Sequence, residues 1–316
     1  MKEKLKKFIY EFSNNSRIST KELGKYTNMS QQSASYLKSQ LKKNNQIKFT
    51  STIIDSVKLG FINILVGFNF IKLEASIKKE ILTSLINNPN VTSIEEGKEG
   101  LDLIVEFCTI NLAEFNKIHT SIISKFEKSL KTTFVFPIII RHIYQKNYLV
   151  NKQKISKITL YKDRKISGLS KNETLILNEF KKTPDEKLIN ISYNLKIPVK
   201  TIIKIKKDLE KKEIIRGYTT IYNNNDFSIN RDIIFIRFPS TGIKDINKFK
   251  DFAKFNKNII EFTKLIGSSQ VVITVESLKE IKIIKEIRKS FPIDQYLIVK
   301  SESIHKKNYL NEVIKE

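Results

Sequence analysis

Two segments of this sequence carry glutamine, serine, threonine and lysine residues on the side of a helical pattern that lacks apolar residues. The first segment lies near residue 35 and the second near residue 203. Glutamine suits paired hydrogen bonds to adenine, and lysine suits the phosphates of a nucleic-acid backbone. These residue types therefore predict contact with double-stranded DNA. The candidate DNA-binding residues are Gln31, Gln32, Ser35, Tyr36, Lys38, Lys42, Lys43, Lys48, Lys200, Thr201, Lys204, Lys206, Lys207 and Arg216.

Groups suited to catalysis or metal binding are scarce. The chain has one cysteine, Cys108, and three histidines, His119, His142 and His305. These residues do not have the spacing of a metal site, and the sequence contains no glycine-rich phosphate loop or nucleophile motif. His142 and His305 fall near the ends of equivalent strands, and we expect a structural or surface role for all three histidines. We predict no catalytic residue, no metal and no cofactor.

The positive charge is large and uneven. The 316 residues include 57 Lys and Arg against 33 Asp and Glu, a net charge of +24. Only seven of the basic residues are Arg, and the abundance of Lys and Ile resembles the bias of an AT-rich genome, so the total alone is weak evidence. Residues 1–50 hold eleven basic and three acidic residues, whereas residues 51–144 hold ten of each. Localised positive charge of this kind is typical of a nucleic-acid surface.

The sequence also predicts the cellular location of the chain. No run approaches the roughly 18 apolar residues of a membrane span. The N-terminus begins charged and continues into a helical pattern without the apolar segment of a secretory signal. A single cysteine cannot form an internal disulfide. We therefore expect a soluble, cytoplasmic protein without a membrane partner.

The elements that position these residues occur twice, because the chain is an internal duplication. Apolar residues recur at a constant offset of 168 over helices and strands alike, and an offset of 161 applies at the end of each half. Two units of about 150 residues, joined by a basic connector, explain this register. The matching segments are Phe8–Phe12 with Ile176–Phe180, Thr50–Ile53 with Tyr218–Ile221, Leu103–Val105 with Val271–Ile273, and Lys146–Leu149 with Lys307–Leu310.

Each unit begins with three helices, and the short turn between the second and third is typical of a helix-turn-helix. The β-rich run that follows predicts a two-stranded ribbon, the wing. The rest alternates strand, helix, strand, strand, helix, strand, which is the ferredoxin-like order. The sequence therefore predicts an α+β protein in which two winged helix-turn-helix domains alternate with two ferredoxin-like βαββαβ domains. Their predicted bounds are 1–55 and 170–223 for the winged domains, 60–145 and 230–305 for the ferredoxin-like domains, 146–169 for the connector and 306–316 for a tail.

This order of domains resembles the Lrp/AsnC family, the feast/famine regulators of archaea and bacteria. Leu209–Ile221 looks like that family's junction between recognition helix and wing, and Ile53–Gly60 looks like its continuation in the first unit. The resemblance covers essentially the whole chain, twice. It implies DNA-binding transcription regulation, dimers built through the ferredoxin-like (RAM) sheets, and an amino-acid effector at those interfaces. A tandem copy implies pairing of the two units within one chain, a homo-oligomer of chains, or both.

The same resemblance points to an effector site in the hairpin between the second and third strands of each ferredoxin-like domain. The family carries a Gly-x-x-Asp signature there, and each unit keeps part of it. The second unit has glutamine in place of the acid, which removes the obvious partner for an ammonium group; the glycines would also serve the turn alone. The candidate effector-binding residues are Gly97, Gly100, Asp102, Gly267 and Gln270.

Two other classes of function use the same fold. Siroheme decarboxylases also resemble this family and use paired units for tetrapyrrole chemistry, which requires polar or histidine groups in a pocket at the sheet interface. A ligand-binding protein that has lost DNA binding would have a neutral recognition surface. The basic third helices favour a sequence-specific DNA-binding transcriptional regulator that is not an enzyme.

Overall fold

A computed structural model describes residues 1–72, 74–150, 156–239 and 243–311. Parts of the predicted connector and tail, residues 151–155 and 312–316, lie outside this range. The described helices are α1 (Glu3–Asn14), α2 (Thr20–Thr27), α3 (Gln31–Lys43), α4 (Ala75–Asn87), α5 (Leu112–Lys125), α6 (Lys171–Lys182), α7 (Leu188–Leu195), α8 (Val199–Lys211), α9 (Ile243–Phe255) and α10 (Ile283–Ser290). The strands are β1 (Ile47–Ile54), β2 (Ile62–Phe70), β3 (Val91–Glu99), β4 (Leu103–Thr109), β5 (Leu130–Tyr144), β6 (Lys157–Leu160), β7 (Ile215–Tyr222), β8 (Asn230–Arg237), β9 (Ile259–Leu265), β10 (Val271–Ser277) and β11 (Gln295–Lys307).

Local signals set the helices of the two helix-turn-helix parts. The hydroxyl of Ser19 accepts a hydrogen bond from the backbone of Glu22, whose side chain accepts one in return, so α2 begins with a capping box. The same box begins α6. Each third helix buries its apolar face against the other two helices and leaves the opposite face exposed. The buried residues of α3 and α8 are Ala34, Leu41, Ile202 and Leu209.

The strand after each third helix pairs with its counterpart in the other unit. β1 and β7 form a separate antiparallel two-stranded sheet in which Thr50 lies opposite Thr220. The prediction of a ribbon within each unit is therefore wrong, because the backbone groups of each strand find their partners in the other unit. Thr220 also donates a hydrogen bond to the carbonyl of Phe12, and Thr52 donates one to the carbonyl of Phe180. Each first helix is thus held by the strand of the other unit.

The two ferredoxin-like sheets join to form a closed barrel. Their strand orders are β5-β2-β4-β3 and β11-β8-β10-β9. Because β3 pairs with β11 and β5 pairs with β9, eight strands close on themselves, and β6 lies alongside β5. Closure leaves these strands without free edges. The structure confirms the predicted α+β class, and the two units pair within one chain. Among the described helices, none is long and apolar enough to cross a membrane.

The barrel has a different character at its two ends. The outer faces of the sheets are covered by α4 and α5 in the first unit and by α9 and α10 in the second. Inside, Leu65, Phe136, Phe235 and Val299 belong to a buried apolar cluster. Toward the other end the buried residues are ionisable, and a buried charge needs a partner. These charged residues are Glu95, Glu106, Arg141, Arg231, Glu261 and Glu276.

Candidate functional site

A cavity of about 140 Å³ lies at the charged end of the barrel, beside β7. Its lining comes from α1, β5, β6, β7 and the four strands of the second sheet, so both units contribute. Cations outnumber carboxylates on its wall. The ionisable lining residues are Lys146, Lys157, Arg231, Glu261, Glu276, Lys307 and the tyrosines Tyr144, Tyr222 and Tyr309.

Lys146 and Lys307 occupy equivalent places in the two units, because each begins a Lys-Asn-Tyr-Leu sequence. The Nζ of Lys146 lies 2.7 Å from Oε2 of Glu276, so its charge is already paired. Lys307 makes no ion pair within the described part of the chain, and its Nζ lies 5.5 Å from the centre of the Tyr309 ring. Of the three lysines that line the cavity, Lys146 is held in an ion pair, whereas Lys157 and Lys307 form none among the described residues.

Glu276 is the centre of a buried polar cluster. Its Oε2 accepts hydrogen bonds from Lys146 and from the hydroxyl of Tyr148, both at 2.7 Å, and its Oε1 accepts one from Arg231 at 2.8 Å. Burial would raise the pKa of Glu276, but Lys146 and Arg231 outweigh it and lower the pKa to about 2. The carboxylate is therefore ionised at neutral pH and fixes both cations in the wall.

Arg141 is the centre of a second cluster. Its guanidinium lies 2.8 Å from Glu106 and 3.1 Å from Glu261. The hydroxyl of Tyr161 donates a hydrogen bond to Glu106 at 3.2 Å. Burial raises the pKa of Glu261, but the charges of Arg141, Lys307 and Arg231 together outweigh burial and leave that pKa below its usual value. Glu261 therefore lines the cavity as a carboxylate that Arg141 pairs with directly.

The rest of the wall combines six isoleucines with neutral polar side chains, among them the hydroxyl of Tyr222. The side chain of Tyr222 is 2% exposed, and its hydroxyl has no hydrogen-bond partner among the described residues. Burial raises the pKa of Tyr222 well above its usual value, so the phenol remains a neutral donor. A buried donor without a partner costs free energy that a ligand could recover. The isoleucines around it are Ile53, Ile143, Ile158, Ile221, Ile260 and Ile304.

A wider groove of about 1000 Å³ adjoins the cavity. The two share Asn14, Ser156 and Ile158 in their linings. The groove is bounded by the ends of α1 and α8 and by β7, and its cations outnumber its carboxylates. Its ionisable residues are Arg17, Lys206, Glu210, Lys207, Lys211, Glu213, Arg216 and Tyr218. Together the cavity and groove form a basic cleft with an apolar inner end.

The structure brings together one group of the candidate DNA-binding residues. Gln31, Gln32, Ser35 and Tyr36 line a shallow groove on the surface of the first helix-turn-helix. Lys43, Lys200 and Lys204 are exposed and Thr201 is half-buried. These positions do not test whether the residues contact a nucleic acid. The DNA-binding role of each residue stays a prediction.

Other residues of that set have partners within the chain. Lys42 forms an ion pair with Asp185, and Lys48 donates to the hydroxyl of Ser303 at 2.7 Å. Lys38 lies over the ring of Phe12, and burial lowers its pKa. Lys206, Lys207 and Arg216 line the basic groove beside the cavity, where Lys206 pairs with Glu210 and Arg216 pairs with Glu213.

The candidate effector-binding residues shape the two hairpins. Asp102 and Gln270 are equivalent, and the side chain of each accepts a hydrogen bond from a backbone N–H of the neighbouring strand, at 2.7 and 2.9 Å. A Cβ added at Gly97, Gly100 or Gly267 would lie 2.2–2.3 Å from a neighbouring atom. None of these five described residues lines the cavity. Effector binding at the hairpins stays a prediction.

No histidine is found among the described residues that line the cavity. His142 lies on the outer side of β5 against Phe262, and burial lowers its pKa to about 4. His305 contacts Glu96 at 2.6 Å, and His119, a residue of α5, stacks against the rings of Phe68 and Phe115. Their surroundings do not form a common site.

Sequence reasoning missed the residues that build this cavity. Arg231, Glu261 and Glu276 fall within strands, and the alternation of residue types along those segments predicts only that they are strands. One signal was available: ionisable residues at inward positions of otherwise apolar strands need partners. The repeated Lys-Asn-Tyr-Leu sequence was a second signal, because it marks Lys146 and Lys307 as an equivalent pair.

These observations define a class of protein: a tandem of two winged helix-turn-helix and ferredoxin-like units, closed into one barrel with a basic cleft at one end. No family model and no curated protein matches the sequence. The fold is similar to the crystal structure of the siroheme decarboxylase NirDL in complex with an iron-uroporphyrin III analogue, at a TM-score of 0.58 and 11% identity. That alignment covers 98% of this chain and 94% of that chain. A second crystal structure of NirDL gives a TM-score of 0.57 with the same identity and coverage.

Single-unit regulators align with much less of the chain. LrpC of B. subtilis, at 17% identity, covers 43% of this chain and 96% of its own, with a TM-score of 0.36. Because the full-length likeness is to a tetrapyrrole enzyme, four predictions are wrong: membership of the Lrp/AsnC regulators, a transcriptional regulator as the function, a chain that is not an enzyme, and the absence of a cofactor or similar ligand. At 11% identity the likeness to NirDL shows the fold alone.

Proposed function

We propose that this chain binds a polycarboxylate tetrapyrrole of the siroheme type and removes a carboxyl group from it. The observation that carries the proposal is the cavity, in which Lys307 lacks an ion pair among the described residues and Tyr222 lacks a hydrogen-bond partner. The full-length likeness to a siroheme decarboxylase supports it. Tetrapyrroles of this type carry carboxylates around their rim, which suit a cleft rich in lysine and arginine.

The cavity and the groove differ in volume, so we expect them to hold different parts of such a ligand. Pockets for ligands of moderate size measure about 300–1,000 Å³. The cavity, at about 140 Å³, is too small for a macrocycle but accommodates a carboxylate side chain. The groove of about 1000 Å³ is large enough for the ring. We therefore place the macrocycle along the groove and one side chain in the cavity, with groove lysines and arginines binding the remaining carboxylates.

We propose that these residues recognise the carboxylates of the ligand rather than its iron. Among the described residues lining the cavity and groove there is no His, Cys or Met, and burial raises the pKa of the lining tyrosines, which disfavours a phenolate ligand at neutral pH. Recognition then rests on carboxylates, for which lysine and arginine provide charge-assisted hydrogen bonds. A metal-free uroporphyrin should consequently bind almost as tightly as its iron complex.

The reaction requires a small set of roles from the chain. The bond between the side-chain carbon and its carboxyl carbon breaks, carbon dioxide leaves, the electron pair remains with the ring system, and the carbon takes up a proton. The six isoleucines favour this loss of charge, because a carboxylate is poorly solvated among them. Lys307 orients the side chain, and the neutral hydroxyl of Tyr222 hydrogen-bonds to the reacting group.

Binding can be measured by titrating the chain with iron uroporphyrin and following the visible absorption of the porphyrin. Lys307→Met should weaken binding about tenfold or more, the effect of one charge-assisted hydrogen bond. Lys98→Met is the matched control, because it removes one positive charge from an exposed hairpin outside the cleft and should leave the affinity within about twofold. Equal losses in the two variants, or no binding by the unaltered chain, would contradict the proposed site.

A further inference from the structure

The duplicated chain has a second place equivalent to the cavity. Arg231 and Glu276 lie opposite each other on β8 and β10, and the offset of 168 places Asn63 and Cys108 opposite each other on β2 and β4. The backbone agrees, because the N–H of Cys108 donates to the carbonyl of Asn90 and that of Glu276 donates to the carbonyl of Asn258, both at 2.8 Å. Four antiparallel steps separate β2 from β8, so the two strands run parallel and both places lie at the charged end of the barrel.

The first-unit place is filled by the connector. The first-unit counterparts of the cavity-lining Tyr222, Asn224, Arg231 and Glu276 are at most 2% exposed, and they line neither the cavity nor the groove. Leu160 and Tyr161 pack against them and are themselves 0% and 3% exposed. The hydroxyl of Tyr161 reaches Glu106, and its ring lies 5.3 Å from the guanidinium carbon of Arg141. The four counterparts, taken in the same order, are Ile54, Ser56, Asn63 and Cys108.

The backbone of the connector is fixed in this position. Tyr161 has φ +63°, a left-handed conformation that costs a non-glycine residue free energy and persists only when surrounding contacts impose it. Its N–H donates to Asp55 at 3.2 Å, and Arg164 forms an ion pair with the same carboxylate at 2.8 Å. Farther along, the N–H of Ser167 donates to the carbonyl of Lys58 at 2.8 Å.

We propose that the connector, through Leu160 and Tyr161, occupies the second of two equivalent places at the charged end of the barrel, so that the tandem chain offers one ligand site. Without Leu160 and Tyr161 the first-unit place would open to solvent. The count of ligands rests on the proposed function, but the occlusion does not. Asn63 and Cys108 carry no charge, so the filled place lacks a counterpart of the Arg231–Glu276 pair.

Cys108 reports directly on the occlusion, because it is the single thiol of the chain and lies at the filled first-unit place. Burial raises its pKa to about 12, so in the closed state the thiol is both shielded and protonated. The rate of modification by N-ethylmaleimide, followed by the mass of the intact chain, measures access. Tyr161→Gly removes the ring and suits the left-handed backbone, whereas Tyr161→Phe keeps the ring.

The Tyr161→Gly variant should react at least about tenfold faster than the unaltered chain, and Tyr161→Phe should remain protected. Ile287→Ala is the control for lost stability, because Ile287 is buried under α10 in the second unit. If Tyr161→Gly reacts no faster than Ile287→Ala at equal free energy of unfolding, the occlusion is wrong. Titration with iron uroporphyrin should saturate at one ligand per chain, and two would overturn the single site. An absence of binding would contradict the proposed function and leave the thiol result decisive for the connector.

Discussion

Lys146 and Lys307 show how duplicated residues acquire different roles. Both begin the same four-residue sequence and both line one cavity. Among the described residues, however, only Lys146 of the two forms an ion pair with a carboxylate. The difference arises because Glu276 stands where the first unit has Cys108. The repeat was visible in the sequence, but the pairing was not, because it depends on strands that meet only after the barrel closes. The mixture of Gln and Lys on α3 was visible too, and it led to a function that the full-length comparison contradicts.

Glu276 makes the stability of the chain depend on acidity. Its pKa is about 2 in the folded chain, against a usual value of 4.5. A carboxylate with a lowered pKa contributes its full stability above about pH 4.5 and loses it as the pH falls toward 2. Replacing Glu276 with a neutral residue removes the negative charge that balances Lys146 and Arg231. Glu276→Gln should therefore cost about 3 kcal/mol at pH 7 and show a smaller further loss between pH 4.5 and 2.

Urea unfolding of the two proteins across this pH range measures the effect. Glu99→Gln is a suitable control, because Glu99 pairs with Lys300 at the surface and should cost less than about 1 kcal/mol. An unchanged free energy of unfolding in Glu276→Gln at pH 7 would contradict a structural role for the cluster.

At the scale of elements, the sequence predicted each unit better than the contacts between units. Capping residues and apolar periodicity define the helices locally, and period-two alternation defines the strands. The pairing of β1 with β7 and the closure through β3–β11 and β5–β9 join residues more than 100 positions apart. Such pairings depend on the shape of the assembled chain. For β6, the basic composition of the connector indicated a linker and concealed a strand.

The ribbon of β1 and β7 should act as a brace between the units. Thr220 donates to the carbonyl of Phe12 at 2.9 Å, near the end of α1, where helix carbonyls lack partners within the helix. Thr220→Val keeps the shape and removes the donor, so it should destabilise the chain by about 1–2 kcal/mol in urea unfolding. Thr83→Val is the control. Thr83 is exposed on α4, and its hydroxyl donates a hydrogen bond only within its own helix. Equal effects of the two substitutions would count against the brace.

The whole molecule explains why one chain carries a complete cleft. One ferredoxin-like sheet alone has two free edges and an uncovered apolar face, and the second unit supplies both missing surfaces. Closure also brings Lys146 from the first unit beside Arg231 and Glu276 of the second, so the cavity exists only in the assembled pair. A length sufficient for two units and the constant offset predicted this duplication. The sequence pattern did not reveal that its product is a cleft in which cations outnumber carboxylates.

The central claim is that this cleft converts a carboxylate side chain of a siroheme-type tetrapyrrole into carbon dioxide and a shortened side chain. In the most direct measurement, the purified chain is incubated with siroheme in the absence of oxygen. The tetrapyrrole is then extracted and its mass is determined. We predict a time-dependent product lighter by carbon dioxide, formed by the unaltered chain and by Lys98→Met and greatly reduced in Lys307→Met. Siroheme recovered at its original mass after saturating incubation with the unaltered chain would contradict the claim.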